Sequence, residues 1–81
     1  MKEREITLSQ AAIGRTYQIV RVTGPEPVKR RILEMGLLPG SIVKVLRIAP
    51  LGDPIEITAE GFPLTVRGSE AQCIIVVEVG A

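Results

Sequence analysis

The 81-residue chain has no histidine, no tryptophan, one cysteine, one tyrosine and one phenylalanine. Each shortage closes off a class of function. Without histidine, general acid–base work falls to carboxylates, lysine or Tyr17. Ser9, Ser41 and Ser69 stand at turn or cap positions with no partner base, so no catalytic residue is nominated. A single cysteine excludes an internal disulfide and agrees with a reducing compartment. Cys73 lies beside Ile74 and Ile75, where a thiol reads as an inert packing group. A metal centre wants clustered Cys and His, and neither cluster exists, so no metal ligand and no cofactor is expected. Glu56 and Glu60, at i and i+4, read as the wet face of a strand.

The lack of aromatics has its own consequence. Small barrels bind single strands on stacking platforms, and proline-peptide readers use aromatic grooves; this chain has material for neither. Lys29-Arg30-Arg31 is the densest basic run, but on a helix three consecutive residues point in different directions. Ten basic against nine acidic residues leave a net charge of +1, so no strong field steers the chain to nucleic acid or anionic lipid. The longest apolar run, Cys73 to Val77, is far too short to cross a bilayer. The charged start Met1-Lys2-Glu3-Arg4-Glu5 leads into no apolar segment and reads as no signal peptide. A small cytoplasmic domain over residues 1–81 is expected.

What is present is aliphatic. Hydrophobic residues make up 46% of the chain, so with so few aromatics the core must be Ile, Val and Leu, which favour strands. One stretch organises the rest: Arg31-Ile-Leu-Glu-Met-Gly36-Leu-Leu-Pro39-Gly40 reads as a helix end that turns sharply into a strand. Gly36 takes the left-handed position past the last turn, and Leu37 packs back on Ile32. Pro39-Gly40 supplies a type II reversal. The helix is expected from Pro27 to Met35, with Val28, Ile32 and Met35 on its buried stripe.

Residues 6–14 read as one helical turn, with Thr7 as cap and Gly14 as stop. Strands are expected at Thr16–Thr23, Ile42–Ile48, Ile55–Glu60, Phe62–Arg67 and Cys73–Val79. Ile42–Ile48 is apolar on both faces and reads as central or packed on both sides. Glu60-Gly61 fits a two-residue hairpin turn, with Gly61 at positive φ. Phe62, Leu64 and Val66 alternate inward, and Pro63 marks an edge or a bulge. Gly68 to Ala71 is a tight connection. Five short strands and one inserted short helix make a small, mainly β barrel.

Partner binding is left by elimination, and one feature favours it. Leu51 sits at the tip of Ala49-Pro50-Leu51-Gly52-Asp53-Pro54, a loop of turn formers, and Leu37 and Leu38 sit at the other turn. If these turns adjoin, they form one apolar patch.

The run Arg31 to Gly40, then Val43-Lys-Val45, then Ala49-Pro-Leu-Gly-Asp-Pro54 resembles FeoA, the small accessory protein of bacterial ferrous iron transport. Leu64 to Arg67 and Glu70-Ala71 before the last Ile/Val strand are similar to the family's ending, so the likeness covers about residues 7–79. The resemblance implies an SH3-like barrel with an inserted helix. It also implies a cytoplasmic partner of FeoB, the permease with a GTP-binding domain, with contact to the membrane only through it. The same domain type ends iron-dependent repressors of the DtxR kind; no helix-turn-helix pattern precedes it in this sequence, so that role is not carried over. Family descriptions attach transition-metal binding to the domain, for which this chain offers no histidine.

The resulting expectation is a non-enzymatic adaptor that docks on the permease. Its contact residues would be Leu37, Leu38, Pro50, Leu51 and Gly52, with Lys29, Arg30 and Arg31 as rim charges. Gly36, Pro39, Gly40, Asp53, Pro54 and Gly61 are expected to shape the turns. A nucleic-acid-binding small barrel and a metal-bridged oligomer stay as rival readings, and the oligomeric state is open.

Overall fold

The computed structural model describes residues 4–80; the charged start read as carrying no export signal falls largely on residues 1–3, outside them. Six strands form one antiparallel sheet: β1 (Glu5–Thr7), β2 (Thr16–Val22), β3 (Ile42–Ile48), β4 (Ile55–Ala59), β5 (Phe62–Val66) and β6 (Ile74–Glu78). Their lateral order is β1-β6-β2-β3-β4-β5. Helix α1 (Glu26–Glu34) connects β2 to β3, and a single turn, α2 (Gly68–Ala71), connects β5 to β6. The register shifts at Val20 in β2 and at Leu46 in β3. Such bulges bend a strand and increase its twist, which lets a six-stranded sheet curl around one core. That core is aliphatic apart from Tyr17: Leu8, Ile19, Ile32, Leu37, Val43, Val45, Ile55, Ile57, Val66, Ile74 and Val76 are fully buried.

The helix ends as its residues dictate. Gly36 has φ 89°, its N–H donates to the Leu33 carbonyl (3.0 Å), and the Leu37 N–H donates to the Ile32 carbonyl (3.4 Å). This pair of reversed hydrogen bonds is the Schellman pattern, and the apolar contact that accompanies it places Leu37 in the core with Ile32. Gly40 follows at φ 95°, with Ser41 N–H bonded to the Leu38 carbonyl (2.9 Å), as the Pro39-Gly40 reversal requires. Val28, Leu33 and Met35 are half-buried against the same core. The β4–β5 hairpin turns on Glu60 (φ 52°) and Gly61 (φ 86°), a two-residue type I′ turn.

Four expectations change. A sixth strand, β1, stands where a helical turn was expected at 6–14. Ile6 and Thr7 pair with Val76 and Ile75 of β6, and only Leu8–Gln10 form a helical turn, capped by Thr7. Ala11 is already extended, so Gly14 stops nothing. Second, β3 is central, between β2 and β4, but it is buried on one face only. Val43 and Val45 point inward, whereas Ile42 and Leu46 are partly exposed, Leu46 being the bulged residue. Third, Phe62 shares the inward parity of Leu64 and Val66 but is 71% exposed. It pairs with Ala59 in the last row before the turn, where the wall of the sheet ends. Fourth, the last strand begins at Ile74; half-buried Cys73 lies in the turn before it and donates to the Ser69 carbonyl (3.6 Å). Pro63 does lie on an edge, since among the described residues β5 pairs only with β4.

Open space surrounds the position a Cβ would take on Gly36, so a substitution there tests backbone conformation alone. Gly36→Ala should lower stability by about 1–2 kcal/mol in urea denaturation. Leu37→Ala, which empties a core position, should cost about 2–5 kcal/mol.

Candidate docking surface

The Ala49–Pro54 loop is a rigid display. Its neck is closed by the Ala49 N–H bonded to the Pro54 carbonyl (3.0 Å), and its first turn by the Gly52 N–H bonded to the Ala49 carbonyl (2.8 Å). Asp53 ties it sideways: its Oδ1 accepts from the Gly68 N–H at the start of α2 (3.0 Å). Pro50 presets the turn, Gly52 takes φ 83°, and the Asp53–Pro54 peptide is cis. Between them Leu51 is held at φ 73°, ψ 6°, a left-handed conformation that costs a leucine about 1–2 kcal/mol. Its side chain is fully solvent-exposed, 103% of the reference value. A strained backbone under a bare apolar side chain serves no packing purpose.

The other nominated residues do not join it. Leu37 is fully buried and is corrected from a contact residue to a core residue: the helix-ending contact that made it visible in the sequence also removes it from the surface. Leu38 is half-exposed, in the turn that leads into β3. The Leu51 loop follows the end of β3. Seven residues of strand separate these turns by roughly 20 Å, so Leu38 and Leu51 do not form one patch. Ile42, just before Val43, and Phe62, in the Val43–Ala59–Phe62 row, are the exposed apolar residues at that end of β3 and β5.

On α1, Lys29 is half-buried while Arg30 and Arg31 are exposed. Arg31 is not a free rim charge: its Nε lies 2.7 Å from Glu70 Oε2. Glu70 is buried, and its other oxygen accepts from the Arg67 N–H (3.0 Å). One turn of helix, α2, therefore holds α1 through Glu70 and the Leu51 loop through Gly68. In the sequence Glu70 carries only part of the family likeness; with arginine and not Ser or Thr at position 67, no capping-box signature marks its role.

The remaining polar groups serve the fold. The Tyr17 hydroxyl accepts from the Ala12 N–H (2.9 Å), and the Ser41 hydroxyl accepts from the Leu38 N–H (3.2 Å). Two shallow clefts, of about 430 and 490 Å³, flank Glu78 and include none of the nominated residues. Among the described residues, no three His, Cys, Asp or Glu side chains gather as a metal site, and no helix is long and apolar enough to cross a membrane.

The family model of the FeoA domain matches residues 6–78. The chain belongs to the FeoA family. The fold is that of solved FeoA structures: a FeoA-like protein from Clostridium acetobutylicum superposes with a TM-score of 0.88 at 30% identity, covering 100% of this chain and 93% of that one. FeoA from Stenotrophomonas maltophilia, solved with zinc and described as an SH3-domain protein, superposes with a TM-score of 0.75 over 88% of both chains. At 24% identity it attests the SH3-like fold alone. A Porphyromonas gingivalis protein that fuses Fe(2+) transport protein A to the Fe(2+) transporter FeoB is 36% identical over 64 residues. That match takes in 79% of this chain and 8% of the fusion protein, so the FeoA domain described here spans a small part of its relative's length.

Two stability measurements check these assignments. Arg31→Ala should cost about 1–2 kcal/mol in urea denaturation, because it leaves the Glu70 carboxylate buried with one partner fewer. Leu51→Gly should leave the thermal midpoint unchanged or raise stability by up to about 1 kcal/mol, because it removes a left-handed leucine that packs on nothing.

Proposed function

We propose that this FeoA domain is a non-enzymatic accessory of bacterial ferrous iron uptake. In this reading it docks on the cytoplasmic part of a FeoB-type permease and tunes GTP-linked transport. The relative in which the two proteins are one chain supports association with FeoB, since fusion keeps two partners at high effective concentration. The observation that carries the docking site is Leu51, fully exposed on a loop whose hydrogen bonds fix it in a strained conformation. Strain held by its surroundings is found at ligand clamps and binding loops, and a preset leucine loses little freedom on docking. Pro50 and Gly52 frame the tip, Leu38 lies at the far end of β3, and the basic helix residues Lys29 and Arg30 stay as candidate rim charges on α1.

The test is calorimetric titration of the domain into detergent-solubilised FeoB, with GDP and with a non-hydrolysable GTP analogue. Saturable binding that differs between the nucleotides is expected, and Leu51→Glu should weaken it at least about tenfold with the thermal midpoint unchanged. Absence of binding by the folded wild-type domain in both states would remove the direct-docking model. A Leu51→Glu protein that melts would move the loop from the surface to the core.

A further inference from the structure

Two arginines and two carboxylates stand around the Leu51 loop, and the arginines are the less engaged. Arg47 stands two residues before the loop's neck at Ala49, opposite Glu56 on β4. Arg67 follows Val66, which pairs with Ile55, and precedes Gly68, whose N–H is bonded to Asp53. The two arginines therefore flank the loop from the β3 side and the β5 side. By strand parity, both fall on the outer face of the sheet with Glu56 and Thr65. The two nearest carboxylates are engaged unequally. Asp53 is fixed on the Gly68 N–H, and Glu56 lies 3.8 Å from Arg47 Nε, the longest of the four ion pairs among the described residues. The Arg47 side chain remains 74% exposed, and Arg67 has no ion pair among the described residues.

The geometry points to a receiving surface of matching form: an apolar socket for Leu51 with carboxylates on its rim, facing Arg47 and Arg67. The inference rests on the docking reading above and gives the partner's chemistry. Division of labour follows. The leucine, carried on a fixed backbone and desolvated on docking, sets how long the complex lasts, while rim arginines speed encounter and make it salt-dependent. An anionic bilayer would also attract arginines beside an exposed leucine. The protein socket is favoured because stable membrane anchoring takes two strong signals, and one leucine with two arginines offers neither an acyl chain nor a polybasic patch.

The experiment measures affinity of the whole chain for the detergent-solubilised permease at low and high salt, for wild type, Leu51→Gly, and Arg47→Gln combined with Arg67→Gln. Thermal melts confirm that each variant is folded. Wild-type affinity should fall severalfold with added salt. The arginine variant should bind about tenfold more weakly at low salt and lose most of that dependence, while Leu51→Gly binds weakly with the salt dependence retained. If Leu51→Gly loses affinity and the arginine variant matches wild type at every salt concentration, the acidic rim is overturned and the docking site stands. If neither variant changes binding, the docking site itself falls. Binding to vesicles of mixed neutral and anionic lipid, lost in both variants, would overturn the protein socket in favour of a membrane surface.

Discussion

A left-handed residue at Gly36 governs where the rest of the chain goes. The helix could not reverse there with a Cβ at ordinary cost, and without the reversal Leu37 would not reach the core beside Ile32. From that point Pro39-Gly40 feeds β3 into the sheet between β2 and β4, and the length of β3 then separates one turn from the other. The angle between helix and sheet is thus set by local backbone chemistry, and packing against the aliphatic core confirms it.

The second organising element is smaller than the first. Four residues of helix, Gly68 to Ala71, meet both α1 and the Leu51 loop, the first through a carboxylate and the second through a backbone N–H. A buried carboxylate is tolerated there because it accepts from a guanidinium on one side and from the chain on the other. Helix α1 and the loop that displays Leu51 are therefore both tied to the same short turn.

Much of this was legible in the sequence because it is written in local chemistry. Gly36, Gly40 and Gly61 mark reversals through their freedom at positive φ, and the β-branched runs mark the strands they flank. A small, mainly β barrel followed from those signals, whereas its SH3-like form was implied by the resemblance of Arg31–Gly40 and Ala49–Pro54 to FeoA. What was not legible depended on which segments meet. Ile6 and Thr7 became a strand only because β6 offers them partners, so the count rose from five strands to six. Phe62 obeyed the alternation and still faced solvent, because alternation gives a side and not a depth. At the candidate site Leu51 was found as an apolar residue among turn formers, while its strain, the burial of Leu37 and the tie between Arg31 and Glu70 required coordinates. Leu37 carries the plainest lesson: it was nominated for the core by its cap and for the surface by its loop, and one residue cannot do both.

Among the described residues β1 and β5 are the outermost strands of the sheet, and exposed edges in an aliphatic protein invite uncontrolled strand addition. In a two-residue hairpin the Ala59–Phe62 pair next to the turn is hydrogen-bonded, so the neighbouring Thr58–Pro63 pair is not, and the nitrogen of Pro63 faces outward. That nitrogen carries no hydrogen, so the exposed margin of β5 lacks a donor near its start. On the other side β1 is three residues long, and its Thr7 N–H is already bonded to Gln10 Oε1. Neither margin is a good template for another chain. A short β1 and a proline on β5 are features that discourage strand addition at such edges.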